Sequence, residues 1–118
     1  MTEENNSRLD QYIEAVLDRK ALDVVVLDLR GLVSFTDTFI ICSGRSHRQV
    51  SAIAESVEQD LKAQGIRSMG VEGLREGHWV LMDYGDVVIH IFYEPIRIFY
   101  DLEGLWSDAK RIEQNSVK

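Results

Sequence analysis

The segment GHWVLMDYGDVVIHIFYEP, residues 77–95, contains two apolar runs separated by a short polar turn. Its turn residues, Gly85 and Asp86, form a Gly-X pair of the kind that makes a two-residue type II′ turn, because glycine accepts the positive φ angle required at the first position. This turn pairs Tyr84 with Val87 and fixes the register of the residues beyond them. The segment therefore predicts an antiparallel β-hairpin whose pairing can be written out residue by residue.

The register divides the side chains of the hairpin between two faces. The first face is apolar apart from one hydroxyl and is predicted to be core; it pairs Tyr84 with Val87, Met82 with Ile89 and Val80 with Ile91. The second face mixes aromatic, carboxylate and imidazole groups; it pairs Trp79 with Phe92, Leu81 with His90 and Asp83 with Val88. Because interface centres favour Trp and other aromatic residues, the second face is a candidate docking surface. The sequence leaves open the alternative that Trp79 packs beneath the glycine-rich loop or the C-terminal helix.

The sequence on both sides of the hairpin predicts the other elements of a small α/β domain. The first elements in chain order are a helix from Ser7 and an antiparallel pair of strands over residues 22–29 and 36–43. A second helix follows, from a Ser46–Gln49 capping box to Gly65. The last elements before and after the hairpin are a short strand over residues 66–71, parallel to the second strand, and a short helix opened by Pro95. The predicted fold class is α/β, a single domain with a small mixed β-sheet flanked by helices.

At 118 residues the chain is long enough to bury a core without disulfides or metal ions. We predict one domain over residues 8–109, with a disordered N-terminus over residues 1–7 and a flexible C-terminal tail over residues 110–118. Cys42 is the only cysteine, the N-terminal segment resembles neither a signal nor a transit peptide, and no apolar run is long enough to span a membrane. These features predict a cytoplasmic protein.

The charge of the chain argues against a general nucleic-acid-binding protein, because the net charge is −7 and phosphate contacts require Lys and Arg. The negative charge is concentrated, since residues 71–109 hold eight carboxylates and only two arginines. A solvated acidic surface explains this pattern, and so does an electrostatically steered contact with a basic partner. Neither a membrane nor a specific nucleic-acid sequence is predicted as a partner.

The histidines and carboxylates do not predict a metal site or acid–base catalysis. His47, His78 and His90 lack the spacing of metal ligands, and a histidine on an apolar strand, such as His90, is typically packed and hydrogen-bonded. Asp83 and His90 have no nucleophile or oxyanion hole beside them in the sequence. We therefore predict that the protein is not an enzyme and holds no metal and no cofactor.

The order strand, SGRS turn, helix is similar to that of nucleotidyltransferases, in which such a turn holds a nucleotide phosphate. An anion contact is predicted here from Ser43, Gly44, Arg45 and Arg48. However, nucleotidyl transfer needs two metals held by paired carboxylates on an adjacent strand, and the strand VVIHIF carries none. A nucleotide-binding or nucleotidyl-transferring enzyme using the Ser43-Gly44 turn stays the alternative function.

Three segments of the sequence resemble the ribosomal silencing factor family, also called the iojap family. They are ALDVVVLDLRGLVSFTDTFIICSGRSHRQVSAIAESV, EGLREGHWVLMDYGDVVIHIF and IRIFYDLEGLW, and the likeness extends over residues 9–109. The resemblance implies a nucleotidyltransferase-like topology without the catalytic carboxylates. The family includes mitochondrial and chloroplast members, but a chain without a targeting segment resembles the bacterial ones.

The resemblance also implies a function. Family members bind ribosomal protein fourteen of the large ribosomal subunit, on the face where the small subunit docks, and so block subunit joining and repress translation when nutrients are scarce. They form homodimers when they are not bound to the ribosome. An acidic, aromatic surface suits such a basic partner, and the residues predicted to bind it are Trp79, Asp83, Tyr84, Glu94 and Tyr100.

Overall fold

The computed structural model describes residues 2–112, with residues 2–7 described by their backbone alone. The helices are α1 (Thr2–Leu17), α2 (His47–Ala63), α3 (Glu94–Tyr100) and α4 (Leu102–Leu105). The strands are β1 (Leu22–Asp28), β2 (Thr38–Gly44), β3 (Gly70–Glu72), β4 (Trp79–Asp83), β5 (Val87–Tyr93) and β6 (Lys110–Arg111). Among these helices none is both long and apolar enough to cross a membrane.

Within residues 2–112 the strands form one mixed sheet of six, in the order β3-β4-β5-β2-β1-β6. Strands β2 and β5 are parallel neighbours, and the other neighbouring pairs are antiparallel. Parallel neighbours need a long connection, which the chain supplies here through α2, β3 and β4. The predicted α/β class with a small mixed sheet is confirmed, and so is the antiparallel pairing of the first two strands.

The hairpin of β4 and β5 has the register that its turn predicts. The Tyr84 N–H donates to the Val87 carbonyl at 2.9 Å, and Gly85 has a φ angle of 91°, as a type II′ turn requires. The pairs that follow are Asp83 with Val88, Met82 with Ile89, Leu81 with His90, Val80 with Ile91 and Trp79 with Phe92. The division of side chains between two faces is therefore confirmed.

Helix α2 begins and ends where the sequence predicts. Ser46 Oγ accepts a hydrogen bond from the Gln49 N–H at 3.0 Å, and Gln49 Oε1 accepts one from the Arg45 N–H at 2.6 Å. The glutamine thus reaches the residue before the N-cap instead of the N-cap itself. At the other end Gly65 has a φ angle of 85°, and its N–H donates to the Lys62 carbonyl at 2.9 Å, which satisfies a free carbonyl of the last turn.

The third strand is shorter than predicted and lies farther from β2. The sequence predicts a strand over residues 66–71, whereas β3 covers only Gly70–Glu72 and pairs antiparallel with β4 at the edge of the sheet. It runs in the same direction as β2, as predicted, but β4 and β5 lie between them. The Ile66 N–H is used by the end of α2, where it donates to the Leu61 carbonyl at 2.8 Å. The place beside β2 goes to β5, a longer strand that is buried along almost its whole length.

The N-terminal helix begins earlier than predicted. The sequence predicts disorder over residues 1–7 and a helix from Ser7, whereas α1 is helical from Thr2 and contains Ser7 in its interior. The helix start predicted at Ser7 is therefore too late, and residue 1 lies outside the described residues. Two glutamates near the start of α1 favour the earlier beginning, because carboxylates are stabilising near a helix N-terminus.

The C-terminal tail, predicted to be flexible over residues 110–118, begins with an ordered strand. Lys110 and Arg111 form β6, which pairs antiparallel with β1, and the Ile112 N–H donates to the Val26 carbonyl at 2.9 Å. Residues 110–112 thus have backbone partners in the sheet, while residues 113–118 lie outside the described residues. A strand at this position covers the edge of β1, which would otherwise expose unpaired backbone groups.

Side chains on the two faces of the sheet form two hydrophobic clusters. The covered face packs against α1 and α2, and its buried residues include Val26, Ile40, Cys42, Val80, Met82, Ile89 and Ile91. The open face packs against the short helices α3 and α4, the segment that follows them and the connection between β1 and β2. It includes the buried residues Leu27, Phe39, Ile41, Val88 and Phe92 with the partly buried Trp79, Leu81 and Trp106. The open face is therefore the side on which large side chains are left accessible.

Candidate functional site

Trp79 lies on the open face at the start of β4, and its ring is partly buried. The ring centroid is 4.8 Å from that of Phe92 and 5.1 Å from that of Tyr100 at the end of α3. The indole N–H donates to His90 Nδ1 at 3.1 Å. The structure combines the two interpretations that the sequence left open, since Trp79 packs against the C-terminal helix and part of it stays accessible.

His90 lies under the open face in the middle of β5, with 3% of its surface exposed. The Phe39 ring meets it edge-on at a centroid distance of 4.4 Å. Burial lowers the pKa of His90 to about 4, because the imidazolium form would lose its hydration there. The ring is therefore neutral near pH 7, and the predicted packed, hydrogen-bonded histidine is confirmed. Within the described residues no group of three or more His, Cys, Asp or Glu side chains is arranged to hold a metal ion.

Asp83 lies on the open face at the opposite end of β4 from Trp79. Three strand residues, including Leu81, lie between the two, which places their backbones about 13 Å apart. One Asp83 carboxylate oxygen accepts a hydrogen bond from the Gly85 N–H at 2.9 Å and so stabilises the hairpin turn. Asp83 thus combines a structural contact with a charge at the margin of the surface around Trp79.

Tyr84 is separated from the other predicted docking residues by the sheet itself. Its side chain is 8% exposed and packs on the covered face, with its ring centroid 5.2 Å from that of Tyr12. Burial raises the pKa of Tyr84 to about 12, with a smaller contribution from Glu58. The hydroxyl is buried and has no hydrogen-bond partner in the described part of the chain. The hairpin register predicts that Tyr84 lies in the core, and this position conflicts with the prediction that Tyr84 binds the partner.

Glu94 and Tyr100 lie at the two ends of α3. The helix separates their backbones by about 9 Å, and it is Tyr100, 53% exposed, that contacts Trp79. Glu94 instead lines an open cleft of about 790 Å³ with neighbours that include Asp23 and Arg97. Of the predicted docking residues, the structure brings Trp79 and Tyr100 into direct contact and leaves the two carboxylates farther away.

Exposed apolar side chains on α3 and α4 are absent from the predicted set. Ile98 and Phe99 are 79% and 78% exposed, and Leu105 is also largely exposed. The Phe99 ring centroid lies 5.1 Å from that of Tyr100, so Phe99 extends the aromatic surface outward. The signal in the sequence is IRIFY, which places more apolar residues on a short helix than one side of it can bury.

A buried arginine fastens α3 to the sheet and to α4. Arg97 donates to Ser43 Oγ at 2.7 Å, and it donates twice to Glu103 Oε2, at 2.7 and 3.1 Å. Burial alone would raise the pKa of Glu103, but the hydrogen bond and charge of Arg97 outweigh this effect and hold that pKa below its usual value. The hydrogen bond to Ser43 ties α3 to β2, and the ion pair ties α3 to α4.

The residues predicted for an anion contact have different environments. Ser43 and Gly44 are buried at the end of β2, whereas Arg45 and Arg48 are exposed. The Ser43 hydroxyl already accepts a hydrogen bond from the buried guanidinium. A Cβ on Gly44 would lie 3.0 Å from the Val50 side chain, so glycine is favoured where α2 approaches β2 closely. Packing accounts for the Ser-Gly pair without a bound phosphate.

Comparison with known proteins identifies one family. The family model described as "Ribosomal silencing factor during starvation" matches residues 2–118. The ribosomal silencing factor RsfS of Halalkalibacterium halodurans is 42% identical over 113 residues, which cover 96% of this chain and 97% of that protein. The protein of the same name from Bacillus subtilis is 44% identical over 92 residues, 78% of each chain.

A solved structure shows the same fold in a related protein. The crystal structure of a Chromobacterium violaceum protein matches with a TM-score of 0.83 at 41% identity, covering 86% of this chain and 85% of that one. By sequence and by fold, the chain belongs to the ribosomal silencing factor family.

Proposed function

We propose that this protein binds the large ribosomal subunit through ribosomal protein fourteen and sterically blocks joining of the small subunit. Translation then falls when nutrients are limiting, in agreement with the family description, which names starvation. The observation that carries the proposal is the accessible aromatic surface beside the open face of the sheet, where Phe99 and Tyr100 are exposed and Trp79 is only partly buried.

The docking surface has an aromatic centre and a charged margin. We define it as Trp79, Phe99 and Tyr100 with Asp83 and Glu94 at its margin. Aromatic residues at an interface centre often carry most of the binding free energy, because they bury a large area with few rotatable bonds. Carboxylates at the margin steer a basic partner toward them. Tyr84 is left out because its side chain lies on the covered face.

The charge near the docking surface suits a basic ribosomal protein better than bare RNA. Residues 71–109 hold eight carboxylates and two arginines, and one of these arginines, Arg97, is paired with Glu103 inside the fold. Such a surface repels phosphate groups and attracts a protein rich in Lys and Arg. Binding is thereby directed to an exposed protein on the ribosome and away from the surrounding RNA.

A bound copy is large enough to act as a steric block. The described part of the chain measures 38 × 33 × 31 Å, roughly three packed helices across. A rigid body of this size on the face where the small subunit docks keeps the two subunits apart, so the proposed function requires no catalysis. When the ribosome is absent, we propose that two copies pair in the cytoplasm through the docking surface, since this hides Phe99 and Tyr100 from water.

A direct test uses purified ribosomal subunits that re-associate at moderate magnesium concentration. Adding the protein to the large subunits before mixing should lower the associated fraction measured by sedimentation. A variant in which Phe99 is replaced by Ala should have a weaker effect at the same concentration, because the docking surface loses an exposed ring. If subunit association is unchanged at saturating protein, the proposed function is wrong.

The alternative, nucleotide binding or nucleotidyl transfer at the Ser43-Gly44 turn, has less support. The Ser43 hydroxyl is engaged by Arg97, and β5, with the sequence VVIHIFY, carries no carboxylate. Incubation with magnesium and labelled nucleoside triphosphates should therefore transfer no label to an acceptor above a heat-killed control. Label transferred above that control would favour the enzyme.

A further inference from the structure

Within the described residues, the docking residue Trp79 is held by one side-chain hydrogen bond. Its indole N–H donates to His90 Nδ1 at 3.1 Å, across neighbouring strands of the hairpin. The other contacts of the ring, with Phe92 and Tyr100, are aromatic packing contacts. Packing contacts tolerate small rotations of a ring, whereas a hydrogen bond fixes a direction. His90 is therefore the group that sets the orientation of the indole.

The same hydrogen bond fixes the protonation state of His90. An indole N–H is only a donor, so Nδ1 must accept and the neutral imidazole carries its proton on Nε2. The Nε2 atom is buried and has no hydrogen-bond partner in the part of the chain that the structure describes. A buried donor without an acceptor lowers stability, so an apolar residue at this position would serve the fold better. This cost indicates that His90 is present for its contact with Trp79.

We propose that His90 is a positioning residue of the docking surface, whose buried Nδ1 holds the Trp79 indole in the orientation that meets the partner. The proposal rests on the proposed function, because the orientation of Trp79 matters to a partner only if the open face docks. His90 itself is buried and acts through Trp79. Addition of a second proton would make Nδ1 a donor facing the indole donor, so the indole would be released.

The surroundings of His90 keep this bond intact near neutral pH. Desolvation is the cause of its lowered pKa, which lies at about 4. The charged and titratable groups on the open face and on the elements packed against it include Glu72 of β3, Asp83 of β4, Glu94, Arg97 and Tyr100 of α3, Asp101 between α3 and α4, Glu103 of α4, Asp108 after it and Arg111 of β6. Of these, Arg97 and Glu103 pair with each other, and Asp83 is bonded to the hairpin turn. The bond therefore persists near pH 7 and breaks only in acid.

The bond can be observed directly by NMR, independently of any ribosome. The chain has two tryptophans, so a Trp106→Phe variant assigns the two indole N–H resonances. We expect the Trp79 resonance to move with a midpoint near pH 4 as His90 gains its second proton. In His90→Asn, whose amide oxygen takes the place of Nδ1 and does not titrate, the resonance should stay constant. If the Trp79 resonance does not titrate in the folded wild-type protein, the proposal is overturned.

Two variants separate positioning from a general structural role. His90→Leu removes the acceptor together with the unpartnered donor, so we expect an unchanged or higher melting temperature but roughly three- to tenfold weaker binding to large subunits. His90→Asn keeps an acceptor in a polar, less well packed side chain, so we expect a lower melting temperature and binding within about twofold of wild type. If His90 has only a structural role, the variant with the lower melting temperature should also be the one that binds large subunits more weakly.

The outcomes distinguish this proposal from the proposed function. The crossed pattern of weaker binding in the stable His90→Leu variant and retained binding in the less stable His90→Asn variant supports positioning. Wild-type binding by His90→Leu, or binding that follows melting temperature, overturns it. If wild-type protein binds no large subunits, the proposed function fails, and the proposal that His90 positions a docking residue fails with it, even where NMR still shows the His90–Trp79 bond.

Discussion

The two faces of the sheet are built from the same strands but are closed in different ways. On the covered face, α1 and α2 supply two long helices whose buried residues complete the core. On the open face, α3 and α4 have only seven and four residues, and they leave Trp79 partly accessible and Phe99 exposed. The covered face holds the fold together, and under the proposed function the open face is the one left to recognise a partner.

The largest expected effect tests this division with one substitution made on each side. Ile89 is fully buried on the covered face, whereas Ile98 is exposed on α3. Ile89→Ala should lower the free energy of unfolding by about 2–5 kcal/mol, because it leaves a cavity, and Ile98→Ala should change it by less than about 0.5 kcal/mol. Urea denaturation measures both. A similar loss in the two variants would show that α3 turns its outer side toward the core.

The second effect concerns acid stability and the dry region under the open face. Because the pKa of His90 falls from its ordinary value near 6.5 to about 4 on folding, the unfolded chain takes up this proton first as pH falls. The folded state is therefore destabilised from about pH 6.5 downward, by at most about 3 kcal/mol once the pH is below 4. His90→Leu lacks this effect, so its stability advantage over wild type should grow as pH falls.

The measurement is the free energy of unfolding of both proteins at several pH values between these limits. Other titrating groups affect both proteins in the same way, so the difference between them isolates His90. A difference that does not change with pH would mean that the imidazole is hydrated in the folded protein. In that case the region under the open face would not be as dry as the covered face.

The third effect is on binding and compares two aromatic residues of the docking surface. Trp79→Ala should weaken binding to large subunits by at least about 2 kcal/mol, roughly thirtyfold. Because Trp79 also packs against Phe92 and Tyr100, its loss should lower the melting temperature as well. Phe99→Ala should weaken binding by roughly tenfold with no change in melting temperature, since Phe99 is exposed.

Met69→Ala is the matched control for Phe99→Ala. Met69 is an exposed apolar residue beside β3 at the far edge of the sheet, outside the docking surface. The Met69→Ala variant should bind large subunits as tightly as wild type does. If Trp79→Ala, Phe99→Ala and Met69→Ala all bind large subunits as tightly as wild type, the docking surface lies elsewhere. If Phe99→Ala and Met69→Ala weaken binding equally, the contact is a nonspecific apolar one.

The features that the sequence predicted correctly are those that local chemistry determines. Gly85 fixes the turn, and the alternation of side chains then fixes the hairpin register. Likewise Ser46 and Gly65 set the two ends of α2 through their own backbone and side-chain bonds. The position of β3 depends on a competition between strands for the place beside β2, which residues 66–71 do not reveal by themselves. The pairing of β6 depends similarly on the free edge of a strand about 80 residues away in the sequence.

The candidate site was predicted in part for a similar reason. Trp79 and Asp83 follow from the alternation of β4, and their shared face was correct. Exposure on α3 was missed because a short helix with apolar residues on all sides shows no amphipathic period from which to read its outer side. The hydrogen bond between Trp79 and His90 was also missed, since pairing Leu81 with His90 puts Trp79 at the diagonal position, where side-chain rotamers decide the contact.

The smallest expected effect concerns the charged margin of the docking surface. Asp83→Asn removes one negative charge while its amide oxygen still accepts the hydrogen bond from the Gly85 N–H, so the hairpin turn is preserved. Affinity for large subunits should fall by roughly threefold at low salt, through the association rate, because a marginal carboxylate contributes less than about 1 kcal/mol. The effect should vanish near 0.5 M salt, where the screening length is only about 4 Å.

Glu55→Gln is the control that decides whether the position of the charge matters. Glu55 is exposed on α2, on the side of the molecule that carries the covered face, and its substitution changes the net charge by the same amount. If the open face docks, Asp83→Asn slows association at low salt and Glu55→Gln leaves it nearly unchanged. Equal slowing in both variants would mean that the partner senses only the total charge of the protein. The acidic residues would then not distinguish the open face from the covered one, and recognition would depend on the aromatic centre alone.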